Sequence, residues 1–276
     1  MRKRILQVLA MVLLIGVLGS LIYGLDQLDR PDYDPQLKLA FVGTADEADC
    51  IVLWQNDFAM MIDTGEERDS EAILAFLAEQ GIEKLHYLVL THPDKDHIGS
   101  AAAVTKALSV GSVIQPFYQD ENDANHFLQA RLAQNRAKIV VPSRVLHYTI
   151  NDMDIFIYPP MEKKYREDNN YSLTVLVKHG NVSMLFPGDA ENKRIAELMR
   201  QDWGVVDLYK LPHHGRESEN AEALFASLEP AYAVVTAEKA SQRMTDIGDA
   251  LGVEWFFTLN NTVKFVSDGT QLTPVD

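Results

Sequence analysis

Cysteine is nearly absent from this chain. Its 276 residues contain one, Cys50, which excludes an internal disulfide and any cysteine-rich metal site. A metal ion bound here must therefore be held by His, Asp and Glu. Cys50 heads the apolar stretch Cys50-Ile51-Val52-Leu53 and is expected to be a buried packing residue. Positive charge is scarce as well: 25 Lys and Arg face 40 Asp and Glu, a net −15. Residues 1–30 hold four basic residues (Arg2, Lys3, Arg4, Arg30) against two acidic ones (Asp26, Asp29), a net +2, so taking that from −15 leaves −17 for residues 31–276. A field of that sign repels polyanions at long range and excludes broad, salt-driven nucleic-acid binding. A small phosphodiester, or a local nucleic-acid segment at a metal-centred site, stays compatible with it. Internal repeats and low-complexity tracts are also missing. At 24% charged and 47% hydrophobic residues the composition is that of a folded chain with one sizeable core or two small ones.

One uncharged apolar run stands apart. Arg2, Lys3 and Arg4 precede Ile5 to Tyr23, which is just long enough to cross a bilayer as a helix at about 1.5 Å per residue. Basic residues ahead of such a run keep that end in the cytoplasm. Residues 1–25 are thus expected to form a membrane anchor with the remainder outside the cytoplasm. The alternative is a signal peptide cut near Gly19 and Ser20, giving a secreted protein. Residues 26–36 read as a linker, with prolines at 31 and 35, and residues 37–276 as the folded domain.

Within the domain, short β-rich runs alternate with helical patterns. Strands are expected at Leu37 to Val42, Cys50 to Gln55, Phe58 to Asp63 and Leu85 to Thr91, with helices at Ser70 to Gln80 and Gly99 to Leu108. A middle section follows with a helix at Asn125 to Asn135 and strands at Lys138 to Val141, Val145 to Ile150 and Met153 to Tyr158. The second half opens with a hairpin, Ser172 to His179 and Ser183 to Pro187, turning through His179-Gly180-Asn181. A helix after Asp189 and strands at Asp207 to Leu211, Ala231 to Thr236 and Trp255 to Leu259 complete it. Two β-rich halves with helices outside predict an α/β protein of the αβ/βα sandwich type, with an open α/β sheet as the alternative.

The strongest chemical signal is Thr91-His92-Pro93-Asp94-Lys95-Asp96-His97-Ile98-Gly99. It sets four candidate ligands within six residues, after an apolar strand and before a helix. A tight loop at a strand end can aim several side chains at one point, as a metal ion requires, and His and Asp supply nitrogen and anionic oxygen at short reach. The bland alternative is a solvated loop with Asp96 capping the next helix.

This segment resembles the His-x-Asp-x-Asp-His form of the metallo-β-lactamase superfamily signature. Asp at the third position, where most members have His, is similar to the hydrolase domain of ComEC-type competence proteins and to the phosphorylcholine esterases. The likeness continues in order: Ile62-Asp63-Thr64-Gly65 resembles the Asp-x-Gly strand end, Asn169-Asn170-Tyr171-Ser172-Leu173 the Asn-x-x-Ser-Leu opening, Gly188-Asp189 the Gly-Asp motif, and Pro212-His213-His214-Gly215 the Pro-His-His-Gly motif. The resemblance implies a four-layer αβ/βα sandwich and a metal site. Asp96, His97, Asp189 and His214 would hold one ion; His92 and Asp94, sharing Asp189 as a bridge, would hold a second. Asp63 would orient a ligand. Asp96 and His213 are expected to carry catalysis, with His213 contacting substrate or protonating a leaving group. The ions are expected to be zinc, one or two, with manganese next, because three aspartates make the set oxygen-rich.

Three departures from the family pattern stand out. Asn169, Asn170 and Tyr171 occupy the place of a further histidine. Arg216 follows Gly215 where the family has serine, with Ser218 as a candidate substitute. Glu238 to Ala250 lacks the Gly-His-Pro of ComEC-type proteins. Of the other histidines, His86, His126, His147 and His179 are expected at the surface or in structural hydrogen bonds. The cluster Lys163-Lys164-Tyr165-Arg166 is expected in a solvated loop, with phosphate binding as its functional alternative. The resulting expectation is a phosphodiesterase working through a metal-bound hydroxide on extracellular DNA or a cell-envelope phosphodiester, tethered to the membrane, with no protein partner indicated. The alternatives are an ester, thioester or lactone hydrolase on the same scaffold, and a tethered metal-binding module without catalysis.

Overall fold

The computed structural model describes residues 33–118 and 123–275. The predicted membrane-spanning run lies outside these residues. None of the described helices is long and apolar enough to cross a membrane.

Gln36 to Asp276 forms one compact unit. Its first half supplies β1 (Leu37–Phe41), β2 (Ile51–Gln55), β3 (Phe58–Ile62), β4 (Lys84–Val89), β5 (Ser109–Ile114) and β6 (Ile139–Val140). Helices α1 (Ser70–Glu79), α2 (Lys95–Ile98), α3 (Ala101–Ala107) and α4 (Asp123–Gln134) lie between them in sequence. The second half supplies β7 (Leu146–Ile150), β8 (Met153–Tyr158), β9 (Thr174–His179), β10 (Val182–Phe186), β11 (Leu208–Lys210), β12 (Tyr232–Val235) and β13 (Glu254–Phe257), with helices α5 (Asn192–Leu198), α6 (Ala221–Leu228) and α7 (Gln242–Leu251). Two final strands, β14 (Val263–Ser267) and β15 (Leu272–Val275), return to the first half.

Among the described residues these make two sheets, in the orders β15-β14-β1-β2-β3-β4-β5-β6 and β13-β12-β11-β10-β9-β8-β7. Each is antiparallel at one end and parallel at the other: β1, β2 and β3 run antiparallel and β3 to β6 parallel, while β7 to β10 run antiparallel and β10 to β13 parallel. Apolar side chains of alternate strand positions fill the space between the sheets; Leu39, Phe41, Leu53 and Met60 of one meet Ile155, Val175, Val177 and Met184 of the other. The opposite face of the first sheet (Val52, Met61, Leu88, Val113) is covered by Ile73, Leu77, Val104 and Leu132 from α1, α3 and α4. The second sheet (Leu185, Tyr209, Ala233) is covered by Ile195, Leu224, Phe225 and Met244 from α5, α6 and α7. Strands apolar on both faces are what a doubly covered sheet needs. The architecture is the four-layer αβ/βα sandwich, and the open-sheet alternative is set aside by the second sheet.

Several elements differ from the sequence expectation. The helix expected from Gly99 to Leu108 is present as Ala101–Ala107, preceded by an unanticipated four-residue helix, Lys95–Ile98; the chain at Gly65 to Glu67 passes directly over Gly99, where a Cβ would lie 2.4 Å from the Glu67 amide nitrogen. The expected strand at Ser172 begins two residues late, since Asp168–Tyr171 forms a 3-10 turn. Strands β5, β14 and β15 and helices α6 and α7 were not anticipated. Tyr165, expected in a solvated basic loop, is buried, with its hydroxyl donating to Glu197 at 2.5 Å; Lys163, Lys164 and Arg166 are exposed.

Candidate metal centre

Strand ends and their turns build the site. β3 runs into Asp63, which takes left-handed backbone (φ 56°). Its carboxylate accepts from the Thr91 backbone N–H at 2.7 Å and from the Thr91 hydroxyl at 2.6 Å. The same carboxylate meets His97 Nδ1 at 2.8 Å. With Nδ1 carrying the proton toward Asp63, His97 presents Nε2 to the opposite side. The Thr91 hydroxyl, having donated to Asp63, accepts from His92 Nδ1 at 3.1 Å, so His92 is turned the same way.

β10 runs into Gly188 and Asp189. Gly188 has φ 63°, and a Cβ there would sit 2.9 Å from the Thr91 side chain and 3.0 Å from that of Ser172. Only glycine lets the Asp189 turn approach the metal loop so closely. The Asp189 backbone N–H then donates to Ser172 Oγ at 3.1 Å.

β11 leads into the turn Pro212–Gly215, where His213 and His214 are both left-handed (φ 47° and 53°). Such backbone costs on the order of 1–2 kcal/mol per non-glycine residue. Buried hydrogen bonds hold it: His214 Nδ1 is 2.9 Å from Thr236 Oγ1, which in turn donates to Asp49 Oδ1 at 2.6 Å. Once more Nδ1 is engaged and Nε2 is left to face inward.

Four donors converge as a result. Asp96, His97, Asp189 and His214 each offer an atom, all within 4.8 Å of one another. His214 Nε2 lies 3.1 Å from Asp189 Oδ2 and 3.3 Å from Asp96 Oδ2; His97 Nε2 lies 3.3 Å from Asp189 Oδ2 and 3.7 Å from Asp96 Oδ2. Ligand atoms roughly 2.0–2.2 Å from a tetrahedral zinc sit about 3.3–3.6 Å apart, so the spacing suits a divalent cation. Nε2 of His97 and of His92 is buried without a hydrogen-bond partner. Such an orphaned nitrogen is costly unless something binds it. The residues therefore fit a metal ion.

His92 and Asp94 are placed differently. His92 Nε2 is 3.5 Å from Asp94 Oδ2, and the His92 ring centroid is 4.0 Å from that of His97. Among the described residues, however, the pair does not join Asp189 in a group of converging donors. His213 lies at the rim: its Nδ1 is 2.6 Å from Glu191 Oε1 and its Nε2 is 3.0 Å from Arg216 Nη1. Arg216 also reaches Glu47 at 2.6 Å. Ser218 is tied to Asn192 outside the centre.

Three residues of the centre were missed from sequence. Lys210 is fully buried and its ammonium pairs with Asp49, with Asp189 Oδ1 at 3.1 Å and with the Gly188 carbonyl at 3.2 Å. Asp49 and Thr236 complete the frame behind His214. A lone lysine in the apolar run before Pro212-His213-His214 was a usable signal, since a buried cation demands a partner; Asp49 and Thr236 gave none.

Electrostatics follow from this packing. Burial alone would lower the His97 and His214 pKa values, but Asp189 with the other carboxylates outweighs it; His97 rises well above its ordinary value and His214 to about 9. Burial would raise Asp189, yet His214, His97 and Lys210 hold it far below the usual carboxylate range. Burial likewise opposes the Lys210 charge, and Asp49 and Asp189 reverse the balance and hold its pKa above normal. Without a metal the site stores positive charge on its histidines, which a cation would displace.

Comparison with known proteins places this centre in a family. Residues 43–237 match the metallo-beta-lactamase superfamily, and the chain belongs to it, as a metal-dependent hydrolase. It is 29% identical over 172 residues to ComE operon protein 3 of Bacillus subtilis, covering 61% of this chain and 22% of that protein. It is 28% identical over 165 residues to Recombination protein 2 of Haemophilus influenzae, covering 60% and 19%. The chain thus spans about a fifth of the length of these relatives. Among solved structures, the metallo-beta-lactamase fold protein YhfI of Bacillus subtilis shares the fold at TM-score 0.55 and 10% identity, over 84% of this chain and 99% of that one.

Proposed function

We propose that this chain is a phosphodiesterase whose centre is one divalent cation held by Asp96, His97, Asp189 and His214. The observation that carries this reading is the convergence of those four donors around the orphaned Nε2 of His97. A cation there would supply Lewis acidity, which makes water a better nucleophile and offsets charge that develops on the substrate. The rest is done by the chain's own groups. Asp63 orients His97, and Thr236 with Asp49 orients His214. Lys210 fixes the second oxygen of Asp189. At the rim, Glu191 fixes the His213 ring through Nδ1, a position from which the imidazole could contact substrate.

A phosphodiester is favoured over an acyl ester by the resemblance to ComEC-type hydrolase domains and phosphorylcholine esterases, and by relatives named for competence and recombination. Two nitrogen and two oxygen donors suit zinc first and manganese second. The acidic domain surface favours small or locally presented substrates such as extracellular DNA ends or cell-envelope phosphodiesters. The basic-then-apolar N-terminal run would hold the domain at the outer face of a membrane. Hydrolysis of bis-p-nitrophenyl phosphate by zinc- or manganese-loaded protein is the expected result; loaded protein that cleaves acyl esters but no phosphodiester rejects the reading.

A further inference from the structure

Arg216 stands where the family pattern has serine, and its guanidinium is held at the rim of the centre. Its backbone is fixed from both sides. The Arg216 N–H donates to the His213 carbonyl at 2.9 Å, and the neighbouring Gly215 carbonyl accepts from the Ser241 N–H at 2.8 Å. The guanidinium leaves this turn between two partners. Nη1 lies 3.0 Å from His213 Nε2, and because a guanidinium only donates, that nitrogen is the acceptor. Nη2 donates to Glu47 Oε2 at 2.6 Å, 169 positions earlier in the chain. Glu47 sits on the loop between β1 and β2. That loop joins the metal loop two residues further on, where the Asp49 N–H donates to the Asp96 carbonyl at 3.2 Å. Arg216 thus reaches from the second half of the domain to the first. It passes beside the His213 ring, whose centroid is 6.1 Å from that of the donor His214.

Charge decides what such a group can do. Asp96 and Asp189 match the two charges of a divalent ion, and Lys210 matches Asp49. Asp63 behind His97 leaves one negative charge over. A loaded centre of that composition has no positive charge to spare for an anion, and Glu47 and Glu191 at the rim repel one. Of the other cations near the metal loop, Lys95 and Arg68 are turned toward Glu66, at 3.5 Å and 3.0 Å. Arg216 is different. Among the described contacts two of its five N–H groups are engaged, and three remain in the planar fork that matches two oxygens of a phosphate. Its pair with Glu47 is exposed, at 56% and 42% of the two side chains, so water screens it and an arriving anion can displace the carboxylate.

We propose that Arg216 binds the charged non-bridging oxygens of the substrate phosphodiester, releasing Glu47 as it does so, and thereby selects anionic esters over neutral ones. The selection among substrates rests on the phosphodiesterase reading; the anion site itself does not.

The experiment titrates zinc-loaded protein with dimethyl phosphate, followed by NMR, with neutral trimethyl phosphate as the control. The Arg216 Nε–H signal, identified by its absence from Arg216→Lys, should move on saturation with the anion and stay in place with the triester. Arg216→Ser, checked for native melting and zinc content, should weaken dimethyl phosphate binding about tenfold, the worth of a lost charge-assisted hydrogen bond. Glu47→Gln should act in the opposite direction and tighten binding about two- to fivefold, because the guanidinium no longer has a carboxylate to leave. A mere brace between the two halves would make both variants weaken binding together. That result overturns the proposal, as does an unmoved Nε–H signal or unchanged affinity in Arg216→Ser. Should the Ser variant fail to fold, the Nε–H signal and Glu47→Gln still decide. With bis-p-nitrophenyl phosphate the loss in Arg216→Ser should fall mainly on KM. A rise in kcat/KM instead would make Arg216 a cover over the centre and overturn its role as a clamp. If that substrate is not cleaved at all, the phosphodiesterase reading falls, while the titration still decides Arg216.

Discussion

The metal loop has two halves built to different standards. Asp96 and His97 belong to a centre in which every inward-facing nitrogen is aimed by a buried partner: Asp63 behind His97, Thr236 and Asp49 behind His214, Lys210 beside Asp189. Earlier on the same loop, His92 is buried with its Nδ1 held by the Thr91 hydroxyl, but its Nε2 faces Asp94, which is partly exposed to solvent. The position where the family places a further histidine is occupied by Asn169, Asn170 and Tyr171. Asn169 spends its side chain on Glu191, and Asn170 accepts from the Arg194 backbone. The difference lies in the carboxylates: Asp189 is buried and held by Lys210, whereas Asp94 is partly exposed and has no such cation beside it among the described contacts. Buried, hydrogen-bonded support lowers the entropy and desolvation costs of assembling donors around an ion.

The largest effect that would break this comparison is at His97. His97→Ala removes a donor from the centre and leaves Asp63 without its imidazole partner. We expect the tightly bound equivalent of metal to be lost on gel filtration, with phosphodiesterase activity falling to background. Retention of one equivalent by elemental analysis would place the ion elsewhere.

Lys210→Met comes next. The substitution leaves Asp49 and Asp189 as neighbouring buried carboxylates without their cation, and breaking one partner from such a cluster costs about 3–5 kcal/mol. Metal-free protein should therefore unfold at much lower denaturant concentration. Saturating zinc should restore part of the loss, since ligand binding to the native state adds stability by mass action. An unchanged unfolding midpoint would mean that Lys210 does not neutralise the pair.

pH should act on the metal-free centre through its histidines. The His214 pKa is about 9 folded, against 6.5 as its ordinary value, and that of His97 is raised in the same direction. The stabilisation from these raised pKa values is complete below about 6.5 and is lost as pH climbs through about 9. Melting of metal-free protein should decline across that window, whereas metal-loaded protein, whose histidines have already surrendered their protons, should show a flatter profile. Parallel profiles would contradict the assignment of His214 as a donor.

Much of this centre was legible in the sequence because its donors sit at sharp strand-to-turn transitions, where apolar runs end abruptly in His92, Asp189 and His213-His214. The four-layer arrangement was legible for the same reason: strands such as Ile51–Gln55 and Val182–Phe186 are apolar on both faces. What escaped was either long-range or locally ambiguous. Thr236 and Asp49 are 187 positions apart, and neither is exceptional until the fold joins them. β14 and β15 alternate buried and exposed residues around an Asp268-Gly269 turn, a pattern strong enough to read. They close the sheet against β1, more than two hundred residues earlier, which no local pattern states. The close pass of Gly65 to Glu67 over Gly99, which leaves no room for a Cβ, is likewise a contact that no local pattern states.

A smaller effect sharpens the account of support. Asp63→Asn keeps size but weakens the acceptor that holds His97 Nδ1 and the Thr91 hydroxyl. Loss of such an outer hydrogen bond typically costs 10–100-fold in metal affinity, and about that is expected by competition with a chelating dye. Asp63→Ala matching Asn would show that the carboxylate's charge matters; Asn matching the parent would show that shape alone suffices.

The smallest effect is expected at Asp94, and it bears most directly on the contrast between the halves. Its carboxylate is 3.5 Å from His92 Nε2 and is 36% exposed, so water screens much of its field. Asp94→Ala should leave one tightly bound equivalent of metal and change its affinity by less than about tenfold, the lower edge of what supporting groups contribute. Asp96→Ala, two positions away on the same turn, should behave like His97→Ala. If instead Asp94→Ala releases as much metal as Asp96→Ala, or if the parent protein retains two equivalents of which Asp94→Ala loses one, the exposed half of the loop is a true ligand pair. Support by buried partners would then not be what separates the two halves.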